Sequence, residues 1–221
     1  MIDAIVFDMD GVLIDSEPLH LATTQEVLAP HDRRLDEAFY WARVGMGEVE
    51  FFADVVAHLE LDVAPEVLAH ERQRVYVDRL VASALTPMPG VLECLLRLGA
   101  DGYRLAVASS ATRRQVDVVV AKLGLRRTFG ATVSIDDVEH GKPAPDLFLE
   151  AARRLDVDPL RCVVVEDAVH GVTAARAAGM AAVALPRVGD DGARHREAGA
   201  AAVITSLAEL DQDAVESWVA T

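Results

Sequence analysis

Short apolar runs recur along the chain, and stretches with helical periodicity separate them. Most runs are nearly continuous and rich in β-branched residues, as expected for strands buried on both faces of a parallel sheet. The runs cover residues 5–7, 105–107, 131–133, 162–165, 182–185 and 202–204. The helical stretches include residues 91–98, 113–123, 146–155 and 169–178, and we expect Gly99, Gly124 and Gly179 to end three of these helices. This alternation predicts an α/β fold with a doubly wound parallel sheet.

One long segment interrupts the alternation. Residues 16–85 have helical periodicity and no convincing strand. The tetrapeptide Asp-Ser-Glu-Pro at 15–18 indicates a helix start, because it combines a capping side chain with an early proline. Residues 86–90, with two prolines and a glycine, are typical of a linker. The sequence therefore predicts an α/β core of residues 1–15 and 86–221, with a helical cap of residues 16–85 inserted after the first strand.

The composition limits the classes of function. The 221 residues carry a formal net charge of -15, whereas binding to nucleic acid requires clustered Lys and Arg, so we expect no nucleic-acid partner. No apolar run approaches the length of a membrane span, and the N-terminus lacks the basic region of a signal peptide. Cys94 and Cys162 lie in no metal-binding pattern and are expected to be reduced, buried thiols. We expect a monomer, because the excess negative charge makes copies of the chain repel one another. We also expect a cytoplasmic protein without membrane association, since the sequence indicates neither a membrane span nor a signal peptide.

Two aspartates directly follow the first predicted strand. Asp8 and Asp10 stand two positions apart, and Gly11 permits a sharp turn after them. Doubly wound sheets bind their ligands at this end of the strands. A carboxylate there can be a metal ligand, a nucleophile or both. The alternative is a solvated acidic turn, because Asp and Gly are common in turns.

Polar residues also end two other predicted strands. The hydroxyl of Ser109 can bind a phosphate oxygen, or it can cap the helix that begins near Arg113. Glu166 and Asp167 end a fully apolar run, where desolvating unpaired carboxylates would be costly. A cation is the expected partner of these two acids, and capping of the following helix is the alternative.

Lysine is scarce in this chain. Among 21 basic residues only Lys122 and Lys142 are lysines, and Lys142 lies between Gly141 and Pro143. Proline restricts the backbone and thereby fixes the direction of the ammonium group. Because a solvated surface lysine does not require such rigidity, this point-like charge indicates a function.

The aspartate pair, the strand-end serine, the lysine-proline loop and the Glu-Asp pair together resemble the motifs of the haloacid dehalogenase superfamily. The resemblance extends over essentially the whole chain, and it is to the phosphatase and phosphomutase branch with a helical cap. It implies that Asp8 attacks phosphorus and becomes an aspartyl phosphate. It also implies that Asp10 protonates the leaving oxygen and later activates water or another hydroxyl.

The same resemblance implies the binding residues. The implied ligands of a Mg²⁺ cofactor are Asp8, Asp10 through its backbone carbonyl, Glu166 and Asp167. The implied phosphate-binding residues are Met9, Ser109 and Lys142, and the implied substrate or cap residues are His20, Arg72 and Ser110. This assignment is physically reasonable, because a carboxylate that approaches a phosphate dianion needs the charge neutralisation that Mg²⁺ and a lysine supply.

The reaction class can be narrowed within the family. True dehalogenases lack an acid at the second position, so Asp10 argues against carbon-halogen cleavage. Phosphonatases need a lysine in the cap, and residues 16–85 contain none. A catalytically idle scaffold would be expected to lack at least one motif residue, and all of them are present. A phosphatase or a phosphomutase remains.

The cap sequence bears on the choice between these two. His20 matches a histidine of the β-phosphoglucomutase branch and Arg72 falls near its cap lysine, although each could be an ordinary helical surface residue. Residues 44–48 resemble the mutase cap loop only at Gly45, and Glu48 stands where mutases carry an arginine for the distal phosphate. A carboxylate there would repel a second phosphate. We therefore expect a phosphatase for a small phosphorylated metabolite such as a sugar phosphate, with a hexose phosphate mutase as the alternative.

Overall fold

The computed structural model describes residues 1–44 and 46–218. Contacts within the chain divide it into two compact units. The α/β unit consists of Met1–Asp15 and the chain from Leu85 onward, and the helical unit consists of Ser16–Ala84. All strands formed by the described residues lie in the α/β unit.

The α/β unit is built on a six-stranded parallel sheet, which confirms the predicted fold class. Its strands are β1 (Ala4–Phe7), β2 (Arg104–Ala108), β3 (Ala131–Val133), β4 (Cys162–Glu166), β5 (Ala181–Ala184) and β6 (Ala202–Val203). The order across the sheet is β3-β2-β1-β4-β5-β6, so the winding direction reverses between β1 and β4. Both strands are buried along their whole length. In open α/β sheets, ligands bind in the crevice at such a reversal.

The helical unit has four α-helices within its described residues. They are α1 (Glu17–Leu28), α2 (Glu37–Trp41), α3 (Glu48–Leu59) and α4 (Pro65–Ala82), with a 3₁₀ turn at Ala29–His31. Leu28, Phe52 and Leu68 are fully buried in their shared core. The predicted side-chain cap of α1 is wrong, because the Ser16 hydroxyl makes no capping hydrogen bond. Its backbone is already helical (φ −88°, ψ −14°), whereas a capping residue is normally extended.

Helices flank the sheet of the α/β unit. They are α5 (Val91–Ala100), α6 (Arg113–Lys122), α7 (Asp146–Leu155), α8 (Val169–Ala177), α9 (Ala193–Glu197) and α10 (Gln212–Ser217). Short 3₁₀ helices lie at Ile135–Asp137, Pro159–Arg161 and Leu207–Glu209. Gly124 and Gly179 follow α6 and α8 in the left-handed region, as predicted. The prediction for Gly99 is wrong: α5 continues through it because the Asp101 N–H still donates to the Arg97 carbonyl, and Gly102 supplies the left-handed residue.

The cysteines and the lengths of the helices bear on two further expectations. Cys94 and Cys162 are both free and buried, as predicted. None of the helices in residues 1–44 and 46–218 is both long enough and apolar enough to cross a bilayer.

Candidate active site

Two acids meet at the reversal point of the sheet. Phe7 at the end of β1 is paired with Val165 of β4, and the Asp8 N–H donates to the Val165 carbonyl at 2.9 Å. The residue after each member of this pair is an acid: Asp8 directly follows β1, and Glu166 is the last residue of β4. Both are buried. The parallel register thus places two desolvated carboxylates side by side.

Lys142 bridges these two carboxylates. Its Nζ lies 2.5 Å from Asp8 Oδ1 and 2.8 Å from Glu166 Oε2, and its side chain is only 8% exposed. Burial by itself would lower the pKa of Lys142, but the charges of Asp8 and Glu166 raise it above its usual value. The amine is therefore a permanent cation shared by two acids.

A third carboxylate completes an acidic cluster. One carboxylate oxygen each from Asp8, Glu166 and Asp167 lie within 4.8 Å of one another. Burial, and then the charge of Asp8, raises the pKa of Glu166 to about 8 and that of Asp167 to about 7. Carboxylates this close and this buried need more positive charge than one lysine supplies. Their oxygen donors fit Mg²⁺, which prefers oxygen ligands.

The turn after β1 packs against this cluster. Gly11 has a φ of +79°, and a Cβ at this position would lie 2.0 Å from Asp167 Oδ2. Gly11 is thus required both by its backbone conformation and by the approach of the acid. Asp10 is partly buried in the same turn. The Met9 side chain is buried, so any contact that Met9 makes with a phosphate is through its backbone.

The two serines at the end of β2 differ in exposure. Ser109 is buried and its Oγ accepts a hydrogen bond from the Ala111 N–H at 3.0 Å, whereas Ser110 is exposed. The capping alternative for Ser109 is excluded, because Thr112 caps α6. The Ser109 hydroxyl retains a proton that it can donate to a ligand.

The capping alternative for Glu166 and Asp167, at the end of β4, is also excluded. Helix α8 begins after Ala168 without a side-chain capping bond. The Ala168 N–H donates to Glu166 Oε1 at 3.3 Å, while Oε2 accepts from Lys142. Each oxygen of Glu166 therefore already accepts a hydrogen bond, one from the Ala168 N–H and the other from Lys142.

Comparisons with known proteins agree with this arrangement. The sequence profile of the haloacid dehalogenase-like hydrolases matches residues 2–179. This chain belongs to the haloacid dehalogenase-like hydrolase family. The family that the sequence motifs predict is thereby confirmed.

Relatives in this family include phosphatases. Fructose-1-phosphate phosphatase YqaB of Escherichia coli is 36% identical over 179 residues, which cover 81% of this chain and 94% of that protein. A phosphorylated carbohydrates phosphatase of Thermotoga maritima is 32% identical over 205 residues, covering 91% and 94%. The crystal structure of CbbY from Rhodobacter sphaeroides in complex with phosphate is similar with a TM-score of 0.80 at 27% identity, covering 98% of this chain and 100% of that one.

One glycine of this haloacid dehalogenase-like protein matters for a reason that sequence reasoning missed. A Cβ at Gly171, in the first turn of α8, would lie 2.0 Å from Glu166 Cδ. Space for the acid, rather than a left-handed backbone, therefore requires glycine here. The available signal was a glycine inside a helix five residues after Glu166, where alanine is the better helix former.

Two side chains that follow β5 also contact Asp167 and were not predicted. Arg187 Nε lies 3.6 Å from Asp167 Oδ2. His195 is buried and donates from Nε2 to the Asp167 backbone carbonyl at 2.7 Å. Neither residue stands at a predicted strand end or in a recognisable motif, so the sequence carried no signal for either contact.

The predicted cap residues lie in the helical unit, each with a neighbour there. The His20 ring stacks on Tyr76 with ring centroids 4.2 Å apart. Arg72 Nε lies 3.0 Å from Glu48 Oε1, and the Arg72 side chain is 12% exposed. Gly45, which carries the resemblance to the mutase loop, lies outside the described residues. The roles of His20 and Arg72 toward a substrate stay predictions.

Proposed function

We propose that this chain is a Mg²⁺-dependent phosphatase that hydrolyses a small phosphorylated metabolite, in particular a sugar phosphate. The observation that carries the proposal is the 2.5 Å contact between Lys142 Nζ and Asp8 Oδ1 within a cluster of three carboxylates. A carboxylate beside a buried ammonium can approach a phosphate ester, because the ammonium neutralises part of the charge of the phosphate. Relatives named as phosphatases of fructose 1-phosphate and of phosphorylated carbohydrates support the substrate class.

The metal would be held by Asp8 and Asp167 through their carboxylates and by Asp10 through its backbone carbonyl. Bound Mg²⁺ supplies charge neutralisation at the transferring phosphoryl group. Glu166 belongs to the same acidic cluster, but both of its oxygens already accept hydrogen bonds. We infer that its main part is to hold the Lys142 ammonium against Asp8.

The first half-reaction uses Asp8 as the nucleophile. Because Oδ1 accepts the hydrogen bond from Lys142, Oδ2 is the oxygen that attacks phosphorus. The bond between phosphorus and the ester oxygen breaks, and Asp10 in its protonated form gives its proton to that oxygen. The sugar leaves as an alcohol, and Asp8 carries the phosphoryl group as a mixed anhydride.

The second half-reaction reverses the role of Asp10. Its carboxylate takes a proton from water, the water oxygen attacks phosphorus, and the bond to Asp8 breaks. Inorganic phosphate leaves, and both acids return to their starting forms. The Ser109 hydroxyl and the Met9 backbone N–H are proposed to bind phosphoryl oxygens, and exposed Ser110 is proposed to contact the substrate.

We also propose, from the family resemblance, that the helical unit is a cap that selects the substrate, with His20 and Arg72 among the selecting residues. A mutase acting through a sugar bisphosphate needs a cation for the second phosphate. Arg72 already donates to Glu48, so its charge is compensated within the helical unit. This pairing favours the phosphatase over the mutase.

The test is a substrate panel with purified protein and Mg²⁺. The panel contains fructose 1-phosphate, other hexose and hexitol phosphates, and β-glucose 1-phosphate with its bisphosphate activator. Free phosphate and isomerised sugar phosphate are followed together, with and without excess EDTA. The Asp8→Asn variant, prepared in parallel by the same purification, tests whether phosphate release requires Asp8.

We expect rapid release of phosphate that depends on Mg²⁺ and on Asp8, without isomerisation. Isomerisation that outpaces phosphate release would replace the phosphatase with the mutase. Equal phosphate release by the Asp8→Asn variant would contradict covalent catalysis by Asp8.

A further inference from the structure

Arg187 reaches Asp167 from outside the acidic cluster. Its Nε lies 3.6 Å from Asp167 Oδ2, which is longer than a hydrogen bond but within the range of an ion pair. The Arg187 side chain is 38% exposed, whereas that of Asp167 is 11% exposed. The guanidinium group is therefore in contact with solvent, while the carboxylate lies in the crevice.

The two cations at this edge of the sheet contact different acids. Lys142 is buried and bonds to Asp8 and Glu166. Arg187 forms an ion pair with Asp167, which the proposed function makes a direct ligand of Mg²⁺. A metal bound by Asp167 and the Arg187 guanidinium would share one carboxylate as their neighbour. Two cations beside the same carboxylate repel each other.

The position of Asp167 does not depend on this ion pair alone. His195 Nε2 donates to the Asp167 backbone carbonyl at 2.7 Å, and His195 is buried. Gly11, in the turn after β1, packs against the Asp167 carboxylate. Removal of the Arg187 charge is therefore expected to leave the acid in place and to change mainly the electrostatic potential around it.

We propose that Arg187 is the counter-ion of Asp167 in the metal-free enzyme and competes with Mg²⁺ for this carboxylate. Arg187 thereby sets the metal affinity of the enzyme rather than taking part in the phosphoryl transfer. The inference rests on the proposed function, because it requires Asp167 to bind Mg²⁺. It predicts that loss of the guanidinium charge strengthens metal binding, whereas a residue that supports the site would weaken metal binding when it is lost.

The test is isothermal titration calorimetry of MgCl₂ into metal-free full-length protein. Arg187→Gln keeps a side chain of similar polarity without the charge, and Arg187→Lys keeps the charge. The matched control is Arg161→Gln, because Arg161 forms an exposed ion pair with Asp3 at 2.6 Å. Arg161 directly precedes β4, whereas Asp167 directly follows it, so the two ion pairs lie at opposite ends of this strand. Circular dichroism establishes that each variant is folded.

We expect Arg187→Gln to lower the dissociation constant for Mg²⁺ about five- to tenfold. Arg187→Lys and Arg161→Gln should stay within about twofold of the wild type, and the gain of Arg187→Gln should shrink in high salt because the effect is electrostatic. Unchanged or weaker binding in a folded Arg187→Gln variant would overturn this inference and leave the proposed function intact. Absence of Mg²⁺ binding in the wild type would instead overturn the proposed metal site, and the inference with it.

Discussion

Two clusters of charged side chains in the α/β unit differ in charge balance. The sheet-edge cluster consists of Asp8, Lys142, Glu166 and Asp167, and the arginine cluster consists of Arg113, Asp137, Glu150 and Arg154. The first holds three carboxylates close together, and its one lysine contacts two of them. In the second, two guanidinium groups contact the carboxylate of Asp137, and Arg154 also contacts Glu150 at 2.6 Å. Acid is in excess in one cluster and matched by base in the other.

The pKa values of the two clusters move in opposite directions. Burial, followed by the charge of Asp8, raises the pKa of Glu166 to about 8. Burial would also raise the pKa of Asp137, but hydrogen bonds from Ser134, Arg154 and Arg113 lower it below its usual value. This difference indicates that the charges of the arginine cluster are compensated within the cluster, whereas the sheet-edge cluster has uncompensated negative charge that can bind a cation.

The largest expected effect comes from the same substitution made in each cluster. Asp8→Asn should lower kcat by at least about 10⁴-fold, because an amide cannot form the phosphoryl intermediate. Its stability should be kept or increased, because one of three crowded negative charges is removed. Phosphate release and urea unfolding of the metal-free protein measure the two quantities.

Asp137→Asn is the matched control and should show the reverse pattern. Its activity should stay within about tenfold of the wild type, while the free energy of unfolding falls, since two guanidinium groups lose their carboxylate. Similar loss of activity in both variants would contradict the division into a catalytic and a structural cluster.

The next effect concerns Lys142, the lysine that Asp8 and Glu166 share. Lys142→Met should lower kcat about 10²- to 10³-fold and destabilise the metal-free protein by about 3 kcal/mol, because buried carboxylates lose their counter-charge. Saturating Mg²⁺ should recover part of this stability, because the metal neutralises the same acids. Urea unfolding with and without Mg²⁺ measures the difference.

The other lysine of the chain provides the control. Lys122 is exposed at the end of α6, so Lys122→Met should change neither quantity appreciably. A stability loss in Lys142→Met that is the same with and without Mg²⁺ would count against metal binding at the sheet-edge cluster.

A smaller effect separates two glycines that both lie inside helices. Gly171→Ala should destabilise the protein by about 2 kcal/mol and reduce activity, because the new Cβ overlaps Glu166, which Lys142 prevents from moving away. At Gly99 the new Cβ would have no atom within 4 Å apart from its chain neighbours and the backbone of its own helix, so Gly99→Ala should stabilise the protein by up to about 1 kcal/mol. Thermal and urea unfolding of both variants measure this. Stabilisation by both would mean that Glu166 has room to rearrange.

The smallest effect is the pH dependence of the arginine cluster. Because the folded-state pKa of Asp137 is lowered, its contribution to stability is full above its ordinary pKa of about 4 and is lost as the pH falls below that value. The hydrogen bond from Arg153 lowers the pKa of Glu150 to about 2, so its contribution is lost over the same acidic range. Asp137→Asn should therefore cost about 2 kcal/mol at pH 7 and clearly less at pH 3.

Urea unfolding of wild type and variant at the two pH values measures this change. Asp117→Asn is the control, since Asp117 is 55% exposed and lies 3.6 Å from Arg113, and it should cost less than about 0.5 kcal/mol at either pH. A gap between wild type and Asp137→Asn that is as large at pH 3 as at pH 7 would contradict the ionic account.

The acids and the lysine of the sheet-edge cluster were predictable because each stands at a strand end or in a rigid loop. Continuous apolar runs before Asp8 and Glu166 indicated buried parallel strands, and parallel strands bring their carboxyl ends to one edge. Local signals were less dependable. Serine and glycine are both common at helix ends. Ser16 nevertheless makes no capping hydrogen bond, and Gly99 lies inside α5.

Hydrophobic periodicity and motif spacing are properties of the chain, so the fold class and the family could be predicted from the sequence, and the same motifs indicated the candidate site residues. Which of these residues are in contact depends on the tertiary structure. The bonds of Lys142 to two acids, the room that Gly171 leaves for Glu166, and the approach of Arg187 and His195 to Asp167 join positions 5 to 134 residues apart. Such contacts follow from the order and register of the strands and from the packing of loops over their ends, and no local pattern encodes them.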